Sequence, residues 1–535
     1  MYAPLGRHAP LSLALLASAA LLAACGGDGG GNDDGNPTPT TPTAASACAA
    51  VSGQSIGGST ALVAAAVPAS GAVPTYCKVN GTLFPNLNFE IRLPDTWNGK
   101  LHYGGGGGYN GAIPDLTGAN LAALNKGFAT VSSDSGHQAN FLDASFALNA
   151  DGSIDTTAAE NFGSLSVPKV MAAAQEIVRT ALGSLPQRSY FEGCSNGGRE
   201  GLMAVQRNPE LFDGVISRAP AYNWVGVMGA FNRNAKLLAA PGGQFSAAKV
   251  RLLAQAVRES CDELDGIIDG VVSNPTACAA EYDPTVLRCA GGADTGDTCL
   301  SDAQLAVVQS WTTPISFPAS PTYRNPGWPL TGNEDDPGAW NAWLTGNANY
   351  TSALQYLFQD TTVKNYLARN RAVNSLTWGP LDQDPAALNT LATLNDATNA
   401  DIRPFLNSGG KLLLWHGGND SALSVNATAD YYTSMVAAVG GQAVADQSVR
   451  FYVAPGVNHC AGGPGADSAD LLAALDGWVT AGTAPGTLTA SKVAGNGSTL
   501  FTRPLCQWPQ YPRYTGPAGN AQAATLASNY TCTSP

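Results

Sequence analysis

The segment 188–199 (RSYFEGCSNGGR) constrains the chain more than any other, because it asks for a reversal that few residue types permit. Tyr190 and Phe191 lie in a short β-prone stretch, and Leu202, Met203 and Val205 follow at core-like helical spacing. Between them, Gly193-Cys194-Ser195-Asn196-Gly197 sets a glycine two places to either side of a serine. Those glycines relieve crowding where a strand turns sharply into a helix, and they let the backbone come close to a bound carbonyl. A turn of this kind presents Ser195 at the tip of a strand as a candidate nucleophile. The five-residue pattern alone arises by chance; the strand before it and the helix after it make it informative.

A serine hydroxyl needs a base to take its proton. The chain has five histidines. His8 lies in an N-terminal apolar segment, and His102 and His137 precede Ser195. An elbow serine is followed along the chain by its acid and then by its base, which leaves His416 and His459. His459 follows the strand-like run 449–453 in a Pro/Gly loop and is the expected base. His416 ends the apolar run 412–415 and is expected to line the substrate site or support the acid loop. Asp420, in Gly417-Gly418-Asn419-Asp420, is the expected acid. The competing reading is an ordinary turn aspartate; Asp430 and Asp446 sit in what reads as helix or loop surface. An oxyanion hole calls for the Asn196 N–H and a second amide from the glycine run 104–108, at Gly106 or Gly107. No Walker or dinucleotide fingerprint surrounds that run, so it does not read as a phosphate cradle.

Strand-like runs at 88–93, 100–103, 128–132, 190–192, 214–218, 411–416 and 450–453 alternate with helical stretches, the pattern of a mostly parallel α/β sheet. The expected architecture is an α/β-hydrolase core of residues 48–220 and 401–535, interrupted by a lid domain at 221–400. The lid is rich in Trp and Tyr, most of them expected in its own core. Within it, 261–271 (CDELDGIIDGV) offers Asp262, Asp265 and Asp269 as hard oxygen ligands and the carbonyls of Ile267 and Val271 beside them. That set suits a structural calcium ion, although the spacing is not that of an EF-hand; a solvated acidic loop is the alternative.

Arg7, the apolar run 11–24 and Leu22-Ala23-Ala24-Cys25 read as a bacterial export signal with a lipobox, too short to span a bilayer. An ordinary cleaved signal with an incidental cysteine is the other reading. Residues 26–47 read as a flexible linker. The chain is thus expected outside the cytoplasm, in the cell envelope or secreted, touching membrane only through a lipid on Cys25. Setting Cys25 aside, eleven cysteines become ten, an even number in an oxidising compartment. Local spacing suggests Cys48–Cys77, Cys261–Cys278, Cys289–Cys299 and Cys506–Cys532. Cys194 and Cys460 remain; they flank the candidate nucleophile and base, which with parity favours a bridge over two free thiols. A net charge of −13 with only 13% charged residues leaves no basic footprint for a nucleic acid.

Gly-Cys-Ser-Asn-Gly-Gly-Arg at 193–199, Ser-Asp-Ser-Gly-His at 133–137, His-Gly-Gly-Asn-Asp at 416–420, Asn-His-Cys at 458–460 and the tail 503–514 together resemble the tannase and feruloyl esterase family, from about Cys48 to the end. The resemblance implies a Ser195/Asp420/His459 triad acting on carboxylic esters through an acyl-enzyme. It also implies a Cys194–Cys460 bridge, a lid and a lid calcium at the aspartates above. The family includes enzymes that hydrolyse a terephthalate half-ester and grip its carboxylate with a lid arginine. No arginine lies in 353–360 (ALQYLFQD), so small esters of hydroxycinnamic or gallic-type aromatic acids are the expected substrates and the terephthalate half-ester the alternative. A non-catalytic lipoprotein binding aromatic ligands or glycans is the reading of another class; the complete Ser/Asp/His set argues against it.

Overall fold

The computed structural model describes residues 42–317, 320–378 and 384–535. The expected export signal, Cys25 and most of the linker lie outside the described residues. Helix α1 (Ala44–Val51) begins before the expected boundary at Cys48. Thr43 and Ser46 close a capping box at its N-terminus, which satisfies two of the amides a helix start leaves open.

Nine strands form the central sheet: β1 (Val63–Val67), β2 (Tyr76–Leu83), β3 (Leu87–Pro94), β4 (Lys100–Gly104), β5 (Ala129–Ser133), β6 (Arg188–Cys194), β7 (Gly214–Arg218), β8 (Lys411–Gly417) and β9 (Val449–Ala454). Their order is β1-β2-β3-β5-β4-β6-β7-β8-β9. The first three strands and the β3–β5 junction are antiparallel, and every pairing from β5 to β9 is parallel. Parallel strands are covered on both faces, so they read as unbroken apolar runs; Leu412 to Trp415 in β8 are all buried. This is the α/β-hydrolase arrangement. Helices α2 (Ser166–Leu182) and α3 (Asn196–Arg207) cover the sheet. Val170, Ala174, Ile177 and Val178 form the apolar stripe of α2, each Val or Ile side chain contributing about 1.5–3 kcal/mol on burial.

After β7 the chain leaves the sheet and returns at β8. The first element of this excursion, α4 (Trp224–Ala239), is buried on nearly every side. Trp311 stacks on Trp328 at 4.6 Å and meets Trp340 edge-on at 5.2 Å, so these three tryptophans are core. That core also takes in Tyr109 from the loop after β4 and Phe162 from the π-helical turn Asn161–Leu165 that leads into α2. Residues Pro42–Pro535 form one compact unit. Two C-terminal hairpins, Leu488–Val493 with Thr499–Leu505 and Tyr511–Tyr514 with Tyr530–Thr533, were not anticipated. All five expected disulfides are formed. No helix among the described residues is long and apolar enough to cross a membrane.

Candidate active site

Ser195 sits between β6 and α3 at φ 63°, ψ −122°, a conformation that costs a non-glycine residue about 1–3 kcal/mol and persists only when neighbours impose it. They do. Its N–H donates to Arg218 O at 3.0 Å, and its carbonyl accepts from Arg199 N and Ala221 N, each at 3.1 Å. The flanking glycines are a packing necessity: a Cβ on Gly193 would lie 2.5 Å from the Gly197 carbonyl carbon, and one on Gly197 would lie 2.6 Å from Gly106 O. The glycine run after β4 therefore rests directly on the elbow.

Asp420 and His459 meet as expected. His459 Nδ1 lies 2.8 Å from Asp420 Oδ2, and Asp420 Oδ1 accepts the N–H groups of Ala422 and Leu423 at 2.8 Å. Burial alone would push the Asp420 carboxyl up; the charge of His459 and hydrogen bonds from His416 and His459 outweigh it and hold the group below the usual carboxylate range. The Cys194–Cys460 bridge, with Cα atoms 5.9 Å apart, pins the residue before Ser195 to the residue after His459.

Two expectations need correction. His416 does not line the substrate site: it is fully buried, its Nδ1 against Thr428 Oγ1 and its Nε2 against Leu423 O, each at 2.9 Å, and Nε2 is 3.2 Å from Asp420 Oδ2. It braces the acid, the other role open to it. Gly106 is not free to donate to an oxyanion, because its N–H already goes to Glu200 Oε2 at 3.0 Å. Gly107 N–H meets no acceptor among the described residues, and the space where its Cβ would sit is open. The Asn196 amide opens α3 and has no intrahelical acceptor.

Reading the sequence missed the polar layer behind the elbow. Arg199 is fully buried. Its Nε donates to Asn196 Oδ1 at 2.7 Å, and its Nη atoms reach Phe162 O at 2.9 Å, Gly163 O at 2.7 Å and Asn395 O at 3.2 Å. The guanidinium also lies over the rings of Phe162 and Trp224, and burial lowers its pKa to about 10. Glu200 Oε1 accepts from Asn110 Nδ2 at 2.6 Å and Asn196 Nδ2 at 3.2 Å. An Arg-Glu pair immediately after the glycines, on a helix that must bury its near face, was the available signal. His137, excluded by chain order, contacts Tyr109 O through Nε2 at 2.8 Å and stacks on Phe146 at 3.6 Å. Burial pushes its imidazole down to about 4.

A row of rings starts at His459. Trp343 meets its imidazole edge-on at 5.1 Å, stacks with Phe358 at 6.2 Å, and Phe358 reaches Phe141 at 6.4 Å. Phe141 O accepts the N–H of Tyr109, next to the glycine run, at 2.7 Å.

In the acidic loop, Asp262 accepts from Asp269 N and Gly270 N at 3.3 and 2.8 Å, and Asp265 from Ile267 N and Ser273 N at 3.3 and 3.2 Å. Asp269 accepts from Val271 N at 3.1 Å and pairs with Arg503 at 2.7 Å. The carboxylates thus turn onto their own loop, and among the described residues no three acidic, histidine or cysteine side chains are grouped so as to hold a metal ion.

The sequence pattern described as tannase and feruloyl esterase matches residues 71–533. The chain belongs to that family. It is 33% identical to the mono(2-hydroxyethyl) terephthalate hydrolase of Piscinibacter sakaiensis, over 88% of this chain and 87% of that protein. It is 28% identical to feruloyl esterase B of Aspergillus niger, over 83% of each. Among solved structures, feruloyl esterase B from Aspergillus oryzae superposes with a TM-score of 0.76 at 23% identity, covering 91% of this chain and all of that one (100%). Tannin acyl hydrolase from Aspergillus niger gives 0.75 at 22% identity, covering 93% and 97%. These two likenesses establish the fold. Family membership makes the chain a carboxylic ester hydrolase.

Proposed function

We propose that the chain hydrolyses small esters of aromatic acids through an acyl-enzyme on Ser195. His459 takes the Ser195 proton during attack and returns it to the leaving alcohol. Asp420 holds the imidazole in the required tautomer and stabilises its cation. The amides of Asn196 and Gly107 receive the oxyanion, a contribution of about 3 kcal/mol per donor in comparable sites. The His459–Asp420 contact at 2.8 Å carries the mechanism. The ring row from His459 to Phe141 supports an aromatic acid, since aromatic faces and edges favour another ring. No cation lies in 353–360, and the next one, Lys364, is paired with Asp360 at 2.7 Å. Ferulate-like or gallate-like esters are therefore favoured over a terephthalate half-ester.

The test is kcat/KM on methyl ferulate, methyl gallate and mono(2-hydroxyethyl) terephthalate, with Ser195→Ala as the blank. Preference for either methyl ester supports the reading. Preference for the half-ester means that another group binds its free carboxylate.

We also propose that the acidic loop takes up a calcium ion. Burial raises the pKa of Asp262 and that of Asp265, the latter to about 7, and the charge of Asp269 adds to both. A divalent cation held by Asp262, Asp265 and Asp269 with the carbonyls of Ile267 and Val271 would offset that strain and stiffen the insertion. Chelation by EDTA is then expected to lower the melting temperature, and added calcium to restore it. A melt indifferent to both would leave the loop satisfied by its own amides.

A further inference from the structure

Two asparagines beside the proposed acid and base are buried and bonded to each other. Asn419 precedes Asp420, Asn458 precedes His459, and Asn419 Nδ2 donates to Asn458 Oδ1 at 2.6 Å. Each also reaches into the insertion. Asn419 Nδ2 donates to Asn333 O at 3.2 Å, and Asn419 Oδ1 accepts the Thr331 hydroxyl. Asn458 Nδ2 donates to Asp336 Oδ1 at 2.6 Å. The approach is close: a Cβ on Gly338 would lie 2.7 Å from Asn458 Nδ2.

The segment 331–336 runs on to the ring that touches the base. Asp336 Oδ1 accepts the Gly338 N–H at 3.0 Å. Trp340 N donates to Glu334 O at 3.2 Å, and Trp343 N to Ala339 O at 3.0 Å, and the Trp343 ring stands edge-on to His459. One stretch of the insertion therefore grips the acid loop, the base loop and the imidazole face.

A carboxamide takes no part in proton transfer at neutral pH. It offers a donor and an acceptor at one end, so it can tie several loops while staying uncharged beside the Asp420–His459 pair. Breaking one bond of such a buried set leaves an unpaired polar group, which is costly away from water. The set therefore resists opening bond by bond.

Building on the Ser195/Asp420/His459 reading, we infer that Asn419 and Asn458 are positioning residues that lock the acid–base spacing to the docking of residues 331–336. Asp336 supplies the insertion's half of the latch. The triad is aligned when the segment is seated and misaligned when it lifts, so the insertion controls turnover as well as access.

The test uses the full chain, with p-nitrophenyl acetate as a probe too small to need the ring row. Asp336→Ala and Asn458→Ala are each expected to lower kcat about tenfold or more, the scale of a small misplacement of a catalytic group, with KM within about twofold of wild type. The double variant Asp336→Ala/Asn458→Ala is expected to stay within about threefold of the slower single variant, a coupling that independent structural damage does not produce. Wild-type kcat in Asp336→Ala, or a double variant whose loss is the product of the two single losses, overturns the latch. If Asn458→Ala fails to fold, Asp336→Ala at its half-buried position still decides. Ser195→Ala separates the two readings: turnover by it sinks the triad, whereas a silent Ser195→Ala beside a fully active Asp336→Ala sinks only the latch.

Discussion

Asp420 and Asp396 are both buried aspartates, but their surroundings answer that burial differently. Around Asp420, two histidines and two amides favour the charged form, and its pKa is depressed. Its contribution to stability is therefore full above the unfolded carboxyl value of about 3.9 and is lost as pH falls below it. Asp396 has one oxygen on the Val225 N–H at 3.1 Å and the other without a hydrogen-bond partner among the described residues. Burial pushes its pKa up to about 7. Folding then favours the protonated acid, so its contribution is full below about 3.9 and drains away as pH rises towards 7. Asp396→Asn keeps the acceptor for Val225 and cannot ionise. Its melting-temperature advantage over wild type is expected to grow from pH 5 to pH 8; an advantage that does not change with pH would contradict the assignment. At this scale motif and chain order single out Ser195, Asp420 and His459, and the structure brings the last two together. The standing of His416 and Gly106 was not legible, since it turns on which partner a ring nitrogen or an amide finds in three dimensions.

The elbow and the base loop are separate elements joined by one covalent link. Cys194 and Cys460 are 266 residues apart in sequence, the longest loop any of the five bridges closes, and long closures remove the most entropy from the unfolded chain. Cys194→Ser/Cys460→Ser is expected to melt at lower temperature and to lose most of its ester turnover while keeping its far-UV spectrum. Unchanged kcat in a folded double variant would show that the latch and sheet position His459 without the bridge. Strands β4 to β9 were readable because buried parallel strands tend to apolar runs, and β3 because Leu87, Phe89, Ile91 and Leu93 alternate with polar residues. By contrast, β1 is an exposed edge of alanines and valines and β2 carries Lys78, Asn80 and Gly81, so neither shows a period-2 pattern. The C-terminal hairpins are short and disulfide-held, and α1 has only the capping signal of Thr43 to announce it.

Across the whole molecule, the insertion is bound into the catalytic machinery by an aromatic core shared with Tyr109 and Phe162 and by the polar set around Asn419 and Asn458. Its place in the chain was visible as a break in strand periodicity; its entanglement was not, because those contacts join residues far apart in sequence. On the proposed mechanism these elements converge on the Ser195 hydroxyl, whose reactivity depends on the elbow, the acid, the base and the seated insertion together. Treatment with a fluorophosphonate followed by mass mapping tests it most directly. The account predicts stoichiometric modification of the peptide bearing Ser195, parallel loss of ester hydrolysis, and no adduct in Ser195→Ala. Hydrolysis that continues in a protein left unmodified at Ser195 would contradict it.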